Sequence, residues 1–74
     1  YMQKCIPLDN YFCFLSYNME SCSSDILFFN LRGEFKSKIK FKTEILEIDT
    51  PDGVRVLVLC PGEGTWILVT PDSK

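Results

Sequence analysis

Four cysteines, Cys5, Cys13, Cys22 and Cys60, are spread through 74 residues at gaps of eight, nine and thirty-eight, and the chain contains no histidine. A structural zinc site brings its thiolates in close pairs, because a tight turn must offer two of them to one tetrahedron. No such pair exists here, so disulfides are the expected use, with free thiols of a reducing compartment as the alternative. A chain this short folds around a marginal core and commonly needs a covalent staple. Disulfides persist in oxidising compartments, which predicts an exported protein. A chain that starts at Tyr1 without a signal-type segment fits a processed form.

Hydrophobic residues make up 46% of the chain, including six Phe, three Tyr and one Trp, which is too apolar for disorder. The longest apolar run is far too short to span a bilayer, so no membrane partner is expected. Periodicity points to strands. Met2 to Leu8 is cut by Pro7 and reads as an edge strand or arm within residues 1–10. Tyr11 to Tyr17 is aromatic-rich and strand-like, and the polar stretch Asn18 to Asp25 reads as a loop carrying Cys22. Ile26 to Leu31 resumes a strand, and Arg32-Gly33 offers a hairpin turn.

From Phe35 the alternation is strict, with Phe35, Ile39 and Phe41 on one face and Lys36, Lys38, Lys40 and Lys42 on the other. The phase then slips: Leu46 and Ile48 take the parity that the lysines held. Such a slip marks a bulge or a strand that bends from one sheet to the next. Thr50-Pro-Asp-Gly53 is a turn, Val54 to Leu59 a strand, Cys60 to Gly64 another turn and Thr65 to Thr70 the last strand. The expectation is a single all-β domain over 1–74, a six-stranded antiparallel β-sandwich, small and barrel-like, with its core in 11–70 and disulfides as staples.

Four cysteines allow three pairings, and spacing does not choose among them. The strand pattern hints at Cys13 with Cys60 across two sheets, and at Cys5 with Cys22 clamping the N-terminal arm. Without histidine the chain lacks Ser-His and Cys-His dyads and the commonest general base, so no enzyme, cofactor or metal site is expected. Its ten carboxylates fall mostly in turns and on outward strand positions. Pro61 to Gly64 lacks the Lys-Ser/Thr ending of a phosphate loop and reads as a turn. Phe12, Phe14, Phe28, Phe29 and Trp66 are assigned to packing rather than to stacking on a ligand.

The lysine stripe Lys36, Lys38, Lys40 and Lys42 is the one surface feature with functional reach, a positive field on a chain of net charge −2. It suits an acidic partner surface, though strand lysines also keep a sheet edge soluble. The overall acidity disfavours a general nucleic-acid binder.

The segment Tyr11-Phe-Cys-Phe-Leu-Ser-Tyr17, with its cysteine inside an aromatic first strand, combines with the six expected strands and the late Cys60. In this pattern the chain resembles the MAX effectors of plant-pathogenic fungi over roughly Tyr11 to Thr70. The resemblance implies a disulfide-stapled β-sandwich that is secreted, carried into host tissue and active without catalysis by binding host proteins; the chain itself is expected to be a monomer. It also implies a bridge from the first strand to the region before the last, which Cys13 and Cys60 satisfy. Cys5, Cys22 and the arm Tyr1 to Asn10 are departures from the one-bridge pattern. Two other functions compete: a small barrel binding nucleic acid through the lysine strand and exposed aromatics, and a secreted inhibitor or toxin that inserts a loop such as Asn18 to Asp25 into an enzyme cleft.

Overall fold

Alternation along the strands decides which side chains are inside. In the structure, a computed structural model that describes residues 2–60 and 64–72, seven strands follow one another: β1 (Met2–Pro7), β2 (Tyr11–Asn18), β3 (Ser23–Asn30), β4 (Phe35–Phe41), β5 (Glu47–Asp49), β6 (Val56–Cys60) and β7 (Thr65–Val69). They form two antiparallel sheets in chain order, β1-β2-β3-β4 and β5-β6-β7. Among the described residues there is no helix, and so none long and apolar enough to cross a membrane. The all-β antiparallel expectation holds, but the six-strand count does not. Seven strands divide into sheets of four and three: Met2 to Leu8, expected as an edge strand or arm, pairs with β2 as β1, and the short β5 is the added strand.

From the first sheet, Cys13, Leu15, Ile26 and Phe28 point inward; from the second, Ile48, Val56, Val58 and Val69 do, with Leu8 and Ile45 joining from the connections. Tyr11 meets the edge of Phe28 with ring centroids 6.5 Å apart. Ile6, Ile39 and Phe41 close the margins. Each sheet thus buries one face, as antiparallel sheets do.

The phase slip after Phe41 is the passage between the sheets. Residues 42–46 leave β4, and Ile45 drops into the core with its amide donating to Ser24 Oγ at 3.0 Å. The Leu46 amide then donates to the Leu59 carbonyl, bringing the chain onto β6. Ser23 and Ser24 are buried and belong to β3, so the expected loop Asn18 to Asp25 shrinks to residues 19–22. Their polarity suggested a loop, whereas Ser24 is held inside by the connection that crosses over it.

Polar side chains set the turns. Asn30 Oδ1 accepts from the amides of Arg32 and Glu34 at 3.0 and 2.9 Å, which closes the Arg32-Gly33 hairpin. Asp52 Oδ1 accepts from the amides of Val54 and Arg55, both at 2.9 Å. Those bonds hold Val54 and Arg55 in the turn, so β6 starts at Val56 rather than at Val54. Asp9 donates its amide to the Gly53 carbonyl at 2.7 Å, tying the β1–β2 turn to the Thr50–Arg55 turn.

The expected clamp between Cys5 and Cys22 is absent: both are exposed free thiols, and Cys13 is a buried free thiol. Register explains it. Cys5 lies opposite Phe14, while Cys22 lies beyond Asn18, four residues further along β2, a separation of roughly 13 Å along the strand. A disulfide tolerates at most about 7 Å between Cα atoms. The expected bridge from Cys13 to Cys60 is not formed either, since Cys13 is a free thiol; the Cys60 side chain itself lies outside the described residues.

Two tests follow from the turns. Gly33 and Gly53 both hold positive φ, at 86° and 78°, but a Cβ at Gly33 meets open space whereas one at Gly53 comes within 2.5 Å of Asp9 Oδ1. Gly33→Ala is expected to cost only the left-handed strain, about 1 kcal/mol, and Gly53→Ala clearly more, by denaturant unfolding of both. The Asp52 carboxyl is held down to about 2 from an ordinary 3.8, first by the Arg55 amide, then by the Val54 amide and the Arg55 side chain. Its contribution is present above the ordinary value and is lost as pH falls through 3.8 toward 2. The melting-temperature gap between the wild type and Asp52→Ala is expected at neutral pH and should vanish once both carboxyl states are protonated.

Candidate interaction surface

The outward faces of the sheets are where the sequence placed its functional expectation. On β4 the register sets Lys38 opposite Leu27 and Lys40 opposite Asp25, all on the face away from the core. Lys36 sits at a register shift, because Phe28 pairs with Ser37 while Phe29 pairs with Phe35. Lys42 follows the end of β4. All four lysines are exposed. Among the described residues the strand ends its sheet and pairs only with β3, so one side offers backbone donors and acceptors to a partner.

The same shift moves Phe35. Expected on the inner face with Ile39 and Phe41, it is turned outward and is 56% exposed. An extra residue in one strand reverses the parity beyond it, which alternation alone cannot show. Phe35 meets Phe29 at a centroid distance of 5.7 Å, and Phe29 meets Phe14 at 5.2 Å, both edge to face. Phe12, Phe14, Phe29 and Gly33 line a shallow apolar depression of about 220 Å³. Of the aromatics assigned to packing, only Phe28 is in the core; Phe12, Phe14 and Phe29 occupy the outer face, and Trp66 is 50% exposed. The signal was present in the sequence, since Phe12 and Phe14 alternate with Cys13 and Leu15.

A second, polar groove of about 460 Å³ is lined by Ser16, Tyr17, Asn18, Met19, Glu20 and Asp25. Asp25 Oδ1 is buried there without a hydrogen-bond partner. Among the described residues no cluster of three or more His, Cys, Asp or Glu side chains is placed to hold a metal.

The two sheets are tied at one side by Lys4, whose ammonium donates to Glu47 and, at 3.2 Å, to the Ile48 carbonyl. That contact is what holds the Glu47 carboxyl below its usual range, with the Ile48 amide adding to it. Of the thiols, Cys13 is pushed up to about 12, first by burial and then by the nearby Cys5.

The chain matches no protein-family model, no curated protein and no solved structure.

Thiolate is the reactive form of cysteine, and a rise from 9.0 to about 12 leaves far less of it at neutral pH. Alkylation of the native protein should label Cys5 and Cys22 rapidly and Cys13 only after unfolding, read by peptide mass spectrometry. Rapid native labelling of Cys13 would contradict the buried placement.

Proposed function

We propose that the chain is a non-catalytic binding protein that acts through the exposed lysine-bearing edge strand β4, and that its partner is a protein with an acidic surface. The carrying observation is the coincidence on one strand of a free sheet edge with exposed Lys36, Lys38, Lys40 and Lys42. A partner strand can add to such an edge by main-chain hydrogen bonds, while side chains select the partner. The lysines contribute steering and orientation more than raw affinity. The resemblance to MAX effectors extends this to a secreted virulence effector whose targets are host proteins, with delivery into host cells. That extension rests on the aromatic strand around Cys13 and on the all-β architecture.

A second reading has one observation in its favour. Phe12, Phe14, Phe29 and Phe35 share the outer face with Lys38 and Lys40, and aromatic sheet faces bordered by cations stack single-stranded bases. Binding of that kind weakens steeply with salt.

Both readings meet in one experiment. The purified protein and a Lys36→Glu/Lys38→Glu/Lys40→Glu variant of equal melting temperature are used to capture proteins from host extract, and are titrated with a single-stranded oligonucleotide at low and high salt. The expected result is a captured protein lost with the variant, by about tenfold or more in affinity, and no oligonucleotide binding at low salt. Capture that survives the charge reversal removes β4 from the reading. Salt-sensitive oligonucleotide binding favours the second reading instead.

A further inference from the structure

The three-stranded sheet also leaves an apolar face outward. Val58 and Ile48 face inward, so their neighbours Leu57, Leu59, Trp66 and Leu68 face out, with Leu59 opposite Trp66 and Leu57 opposite Leu68. Trp66 and Leu68 are 50% and 47% exposed. The next strand in the sheet, β5, borders this face with Glu47 opposite Leu59 and Asp49 opposite Leu57, both exposed.

The outer face of the four-stranded sheet is its complement. There Phe12, Phe14, Leu27 and Phe29 form the apolar part, and edge strand β4 borders it with Lys38 and Lys40. In each face the charged border lies on an edge strand, and two apolar strands follow it inward at the common strand spacing of about 4.8 Å. In each, the two charges are two residues apart on one strand. The β4 border carries lysines, with Lys40 opposite Asp25 on the same face, and the β5 border carries carboxylates, of which Glu47 already pairs with Lys4, so Lys38 and Asp49 carry the contrast in sign.

We propose that copies of this chain associate head to tail, the outer face of the four-stranded sheet of one copy stacking on the outer face of the three-stranded sheet of the next. Phenyl rings of one copy cover the leucines and Trp66 of its neighbour, and the lysines of β4 reach the carboxylates of β5 at the rim. Stacking like on like gives neither border an opposite charge, so the charge pattern selects the heterologous arrangement. Each copy then uses two different faces, and the assembly extends as a chain or closes as a ring. Two half-exposed apolar faces with few rim charges make the association weak and concentration-dependent. This goes beyond partner binding at the edge of β4, since it uses the faces of both sheets and needs no second protein.

Sedimentation velocity of the purified full chain, free of nucleic acid and in reducing buffer so that Cys5 and Cys22 form no crosslinks, tests it. The expected result is a sedimentation coefficient that rises with concentration over about a hundredfold range and rises less in high salt. Lys38→Glu/Lys40→Glu on one face, or Glu47→Lys/Asp49→Lys on the other, should each weaken association at least about tenfold. Mixed in equal amounts, the two variants should recover it, because every charge border again meets its opposite. Glu47 also holds Lys4 within the chain, so Asp49→Lys alone serves as the second arm if the double variant fails to fold by circular dichroism. A monomer at every concentration overturns the proposal. So does association unchanged in both charge variants, which is unspecific apolar collapse, and so does a mixture that shows no recovery.

Discussion

The structure depends on one constraint: the chain has apolar side chains for both faces of its sheets but enough elements to cover only one. Its core is made from the inner faces of two sheets, with Phe28, Ile26, Ile48, Val56 and Val58 fully buried. No helix or third layer stands over the outer faces among the described residues. Yet β2, β3, β6 and β7 carry large apolar residues on the outward parity as well as on the inward one. Scattered exposed apolar residues are ordinary, but contiguous ones on a sheet face mark an interaction surface. The two faces of this protein are contiguous, with lysines on the edge strand of one and carboxylates on the edge strand of the other.

The passage from β4 to β5 makes that arrangement. Had the chain continued straight from Phe41, a single long sheet would have exposed its inner face. Instead Ile45 enters the core and Ser24 Oγ accepts its amide, so a buried hydroxyl and a buried amide satisfy each other rather than remaining as unpaired polar groups. The chain then reaches β6 with the parity of its side chains reset. Both charged borders flank this passage, Lys38 and Lys40 before it and Glu47 and Asp49 after it, so a single short connection separates opposite charges onto different faces.

The alternation in the sequence was enough to reveal the all-β class, the phase slip between the sheets and the exposure of the four lysines. It missed the features that depend on contacts between distant residues. Ser23 and Ser24 look like loop residues until Ile45 is seen to cross over them. Val54 has strand composition, yet the Asp52 carboxylate holds its amide in a turn. The largest error concerned Phe35, whose face was inferred by extending a regular alternation from Phe41 back through Lys36, where one unpaired residue reverses it. A bulge has no compositional signature of its own, and the aromatic outer face was hidden behind it.

The cysteines suggested that covalent staples hold so small a domain together. Among the described residues the ties between sheets and turns are polar instead, and they lie at separate points around the core. Lys4 joins β1 to Glu47 and Ile48, Ser24 holds Ile45, the Asp9 amide bonds to Gly53 and Ser37 donates to the Pro71 carbonyl at 2.6 Å. Each links residues far apart in sequence, so each becomes favourable only after the chain has closed a long loop. Individually such contacts contribute little, because folding exchanges them for bonds to water. Their effect is to fix how the inner faces meet once apolar burial has driven them together. A domain held in this way leaves the outer faces of both sheets uncovered among the described residues.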